Sequence, residues 1–169
     1  ATEWDKSEVS YKCKDPKQLF SNIHVQLNAP RSPLRQGNAA RTCLALLQEA
    51  TSQHTPIVEA FRHKIDVLMQ SLHVFEAHFP VSNVRVAIHT HRTLEFMDRK
   101  LRPTLKAIHG LRQEMENNSE HGSMLTIVQA LEDLMLWSIE EVSHMKCACE
   151  CIKQEFSEYR SIQQNNVLY

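Results

Sequence analysis

Glycine is nearly missing from this chain: three residues in 169, alongside only six prolines. Tight hairpins and phosphate-cradling loops need glycine where φ is positive or where a backbone must come close. Its scarcity argues against a β-rich fold and against Rossmann or P-loop chemistry. Long hydrophobic runs are missing too. None approaches the roughly 20 residues that cross a bilayer, so no membrane span is expected. Neither sign of charge dominates: 19 basic and 20 acidic residues leave a formal net charge of -1, with no global drive toward nucleic acid or an anionic membrane.

What is abundant favours long helices, since leucine, methionine, glutamate, glutamine, lysine and arginine lose little side-chain freedom in them. A chain of this length can bury one core without a metal or a disulfide. The expected layout is an extended N-terminal arm over 1–14, a single helical-bundle domain over 15–164 and a flexible tail over 165–169.

Apolar spacing supplies the elements. Leu19, Phe20, Ile23 and Leu27 follow Asp15-Pro16, a cap and first-turn pair, and predict a short helix over 15–28. Pro30, Pro33 and Gly37 mark a connector. AARTCLALLQ (39–48) predicts a compact helix. Ile57, Phe61, Ile65, Leu68, Leu72, Phe75 and Phe79 form a stripe at steps of three and four. Val84, Ile88, His91, Leu94, Met97 and Leu101 repeat it, and Leu105, Ile108, Leu111 and Met115 continue it in phase beyond Pro103, which predicts one kinked rod.

The last stripe runs from Leu125 through Val128, Leu131, Met135, Ile139, Val142, Met145, Cys149, Ile152 and Phe156 to Tyr159 without a proline or glycine. At 1.5 Å per residue its helix approaches roughly 60 Å, longer than a compact domain of this size requires. The fold class is therefore all-α: an elongated up-and-down bundle of three long helices plus one or two short N-terminal helices, the last helix unusually long.

Three of the five cysteines crowd into HMKCACECI (144–152). Cys149 falls on the apolar stripe and reads as a small core residue. Residues two apart on a helix diverge by about 200°, so Cys-x-Cys-x-Cys cannot close on one ion. His144, Cys147 and Cys151 do share a face, but zinc would need a fourth ligand such as Cys13 or Cys43. The same residues are the disulfide candidates, with Cys13 or Cys43 tied to Cys147 or Cys151. The Asn117-Asn118-Ser119 sequon would fit that extracellular setting.

Glu141-x-x-His144 has diiron-ligand spacing, yet no second copy accompanies it, and it reads as a charged flank. On a helix His89 and His91 diverge, and His91 joins the apolar face. Arg85, Arg92, Arg99, Lys100, Arg102, Lys106 and Arg112 crowd one helix, but Glu95, Asp98, Glu114 and Glu116 interleave them, so an ordinary charged surface is expected. No nucleophile elbow or oxyanion nest appears. No catalysis, resident metal or cofactor is expected.

Surfaces remain. Leu134, Leu136 and Trp137 add apolar area outside the last stripe, and Trp4 and Tyr11 do so on the arm; tryptophan outside a core stripe suits an interface anchor. The expected role is a non-enzymatic protein-protein interaction module, an adaptor or assembly subunit that presents helix faces to a protein partner in the cytoplasm or nucleus, with self-association through the long last helix as one form. The alternative is a secreted four-helix, cytokine-like ligand for a receptor ectodomain.

Overall fold

The computed structural model describes residues 21–36, 39–74, 80–117 and 122–167. Among the described residues the chain is all-α, with short helices toward the N-terminus followed by three long ones, the last of them longest. In chain order the helices are α1 (Ser21–Asn28), α2 (Pro33–Gln36), α3 (Ala39–Ser52), α4 (His54–Val74), α5 (Val81–Glu116) and α6 (Gly122–Val167). The arm expected over 1–14, and with it Trp4, Tyr11 and Cys13, lies outside the described residues. So do Phe75 and Phe79.

Local chemistry explains several boundaries. Ser32 caps α2, its Oγ accepting from the Leu34 amide at 3.2 Å and its carbonyl from the Arg35 amide at 3.0 Å. Pro80 precedes α5, and its carbonyl accepts from the Asn83 amide at 2.9 Å. As the unbroken stripe implies, Pro103 lies inside α5, which continues through it as one helix. It sits on the exposed side, where water can satisfy the carbonyl that its missing N–H leaves free.

The chain divides into two compact units, Ala1–Ile57 with Ile108–Leu134, and Val58–Ala107 with Met135–Tyr169. In the first unit the described core includes Ile23, Leu44, Ile108, Met115, Met124, Val128 and Leu131. In the second it includes Val58, Ile65, Leu68 and Leu72 from α4, Ala87, Leu94 and Leu101 from α5, and Met135, Val142, Met145, Cys149 and Ile152 from α6. In this second unit α5 and α6 run antiparallel, because the pairs His91–Glu150 and Asp98–Lys146 fall in reverse order along them.

The buried positions follow a stricter rule than the apolar stripes. On α6 they are 124, 128, 131, 135, 138, 142, 145, 149 and 152, alternating steps of four and three, with Glu132 buried beside Leu131 as the one addition among the described residues. Ala87, Leu94, Leu101, Ile108 and Met115 stand seven apart on α5, as do Val58, Ile65 and Leu72 on α4. A mean step of 3.5 rather than 3.6 residues keeps a seam on one side of a long helix. That is why Met124 and Ser138 are buried on α6 while Leu125 and Ile139 are only half-buried, and why Ala87 and Thr90 are buried on α5 while Ile88 and His91 flank them. Residue hydrophobicity chose the larger neighbour, whereas packing chose the position.

Candidate interaction surface

The polar groups nearest the seams clamp helices together. Glu132 is buried in the first unit. Its Oε1 lies 2.7 Å from His109 Nδ1, and its Oε2 accepts from Arg112 Nη1 at 2.5 Å. Gln113 Nε2 stands 3.0 Å from His109 Nε2, so both ring nitrogens of His109 have a polar neighbour. Hydrogen bonding to His109 lowers the Glu132 carboxyl below the usual range; burial works against this, and Arg112 reinforces it.

In the second unit Asp98 accepts from Arg102 Nε at 2.8 Å and Lys146 Nζ at 3.1 Å. Burial alone would push its carboxyl up, but the two cations together hold it below the usual range. Glu150 lies 3.0 Å from His91 Nε2 and accepts from Lys153 at 2.8 Å, and Glu141 pairs with Arg62. Thus Glu141 of the Glu-x-x-His spacing serves an ion pair, while His144 is exposed.

The cysteines separate as their helix positions dictate. Cys149 is fully buried on the seam, and burial pushes its thiol up to about 11. Cys43, Cys147 and Cys151 are exposed and free. His144, Cys147 and Cys151 share the outer side of α6, but among the described residues no three His, Cys, Asp or Glu side chains form a metal-holding group. Asn117 is exposed; the rest of its sequon lies outside the described residues.

Of the interaction candidates, Leu134 and Trp137 are half-buried and Leu136 is 49% exposed. Leu136 and Trp137 stand on the side of α6 away from the seam residues Met135 and Ser138, with the exposed Glu140 one turn on. Farther along, Phe156 and Tyr159 continue the seam spacing but are only half-buried, and Ile162 is 57% exposed. Two features escaped sequence reasoning. One is the carboxylate clamp at Glu132, signalled only by a charge beside Leu131 on an apolar stripe. The other is Phe96, which is 62% exposed with Lys100 Nζ 5.5 Å from its ring centroid.

The chain matches no model of a known protein family, no curated protein and no solved structure. Among the described residues, no helix is long and apolar enough to cross a membrane.

Proposed function

We propose that this chain is a non-enzymatic protein-protein interaction module, an adaptor or assembly subunit that presents the outer side of α6 to a protein partner, a second copy of itself included. The observation that carries this reading is Leu136, an exposed leucine at mid-helix beside a half-buried tryptophan. An aromatic anchor with an aliphatic neighbour and a charged rim is the usual composition of an interface centre. Ile162, exposed on the last turns of the same helix, adds apolar area.

A photo-crosslinking side chain at position 136 tests it, with one at the exposed Gln154 as control. The expected result is an adduct of discrete mass from position 136 alone, at twice the chain mass if the partner is a copy. Trp137→Ala should weaken the adduct while helicity is kept. Crosslinking that is no stronger at 136 than at 154 overturns the reading. Loss of the fold on Trp137→Ala would make that residue core, and Leu136→Asp then carries the test.

The exposed free thiols of Cys43, Cys147 and Cys151 suit the reducing environment of the cytoplasm or nucleus. An intact mass of unreduced, natively produced protein with all five cysteines open to alkylation supports that setting. Bridged cysteines with glycan mass would instead favour the secreted ligand.

A further inference from the structure

The lysines and arginines of the second unit differ in whether they meet a carboxylate; among the described residues Lys64, Lys100 and Arg160 have no such ion pair. Arg62, Arg102, Lys146 and Lys153 each meet a carboxylate. Arg85, Arg92, Arg99 and Lys106 do not: among the described residues their side chains make no ion pair or hydrogen bond, and all four are exposed. They stand seven residues apart on α5, the same interval as the buried Ala87, Leu94 and Leu101, and so follow one line along its solvent side. Along the helix axis the interval is about 10.5 Å and the whole line spans roughly 31 Å.

Between these cations, at alternating steps of four and three, stand His89, Phe96 and Pro103, all exposed. Every position of the ridge faces water and none is acidic. The carboxylates that interleave it in sequence lie elsewhere: Asp98 is turned onto Arg102 and Lys146, and Glu95 is half-buried off the ridge. Neighbouring cations are separated by about one Debye length at physiological salt, so their mutual repulsion costs little.

We propose that this ridge docks an acidic, helix-length face of a partner protein, a surface distinct from the one proposed on α6 and tested separately from it. Carboxylates at every seventh position of a partner helix recur at the same interval of about 10.5 Å, so one could meet each cation in register. Phe96, at the middle of the ridge, supplies an apolar anchor, and Lys100 pads its ring. A nucleic-acid strand fits less well. Its phosphates recur far more closely, and strand-binding proteins offer a groove with several stacking aromatics where this ridge is convex and has one.

The test uses a labelled synthetic helical peptide of about 28 residues with glutamate at every seventh position, and a control peptide with glutamine there. In fluorescence anisotropy the glutamate peptide should bind at least about tenfold tighter than the control, weaken as salt rises, and lose about tenfold on Arg92→Glu with Arg99→Glu. Phe96→Ala should weaken it several-fold. Equal binding by the charge-reversed chain, or no preference for glutamate, overturns the proposal. So does binding of an oligothymidylate, heparin or phosphatidylserine vesicles where the peptide fails. If the peptide fails while crosslinking through position 136 succeeds, the ridge falls alone. If the peptide binds and that crosslink fails, the α6 surface falls alone.

Discussion

Thr90 is fully buried on α5, and its Oγ1 has no hydrogen-bond partner among the described residues. A buried hydroxyl without a partner retains the cost of leaving water, and valine has nearly its shape without that group. Thr90→Val should therefore raise stability by about 1 kcal/mol, seen as a higher midpoint in urea at unchanged m-value. A lower midpoint would mean that the hydroxyl has found an acceptor. This residue also marks the limit of sequence reading. Threonine does not register on a hydrophobic stripe, so Ile88 and His91 were expected inward where Ala87 and Thr90 are buried. At positions 87 and 90 the seam is filled by small residues, and hydrophobicity alone ranks Ala87 below its larger neighbour Ile88. Cys149, small and apolar, was legible for the converse reason.

At the scale of the element, the existence of the long helices was readable because their apolar residues recur over many turns and almost nothing interrupts them. The stripe passing Pro103 in phase was enough to foretell a single α5. The 3.5-residue seam was harder to see, because half-buried neighbours such as Leu125 and Ile139 satisfy a 3.6-residue stripe equally well. Phe96 was missed for a related reason: it lies off the stripe, and only the sorting of cations around it gives it meaning. Gly110 is a position where α5 can be strengthened. A Cβ built there meets nothing within 4 Å, and the residue is helical. Gly110→Ala should stabilise by about 0.5–1 kcal/mol, mostly by restricting the unfolded chain. Thermal unfolding checks it, and a loss of stability would mean that the site is more crowded than the helix backbone indicates.

At the scale of the whole molecule, charge balance conceals segregation. A net charge of -1 gave no hint that one line of α5 would hold unpaired cations while carboxylates in each unit are committed to clamps. Those clamps predict the response to acid. Glu132 and Asp98 both have carboxyls held below the ordinary range when folded. The unfolded chain therefore takes up protons first as pH falls. The stability they contribute is present above the usual carboxylate range of about 4 and is lost as pH drops through the depressed values. Urea midpoints should fall steeply below about pH 4, and Glu132→Gln should flatten part of that fall while lowering the midpoint at neutral pH. An unchanged acid limb in Glu132→Gln would detach this carboxylate from acid sensitivity. The sevenfold seam also sets a grammar of lengths. Removing one heptad from α6 leaves every later side chain facing as before, whereas removing two or five residues turns all that follows by roughly 150° around the helix, away from its partners. Since α4 and α5 bury residues at the same interval, viable changes of length in a chain like this should come in sevens and in matched sets, so that its history would be written in multiples of two turns.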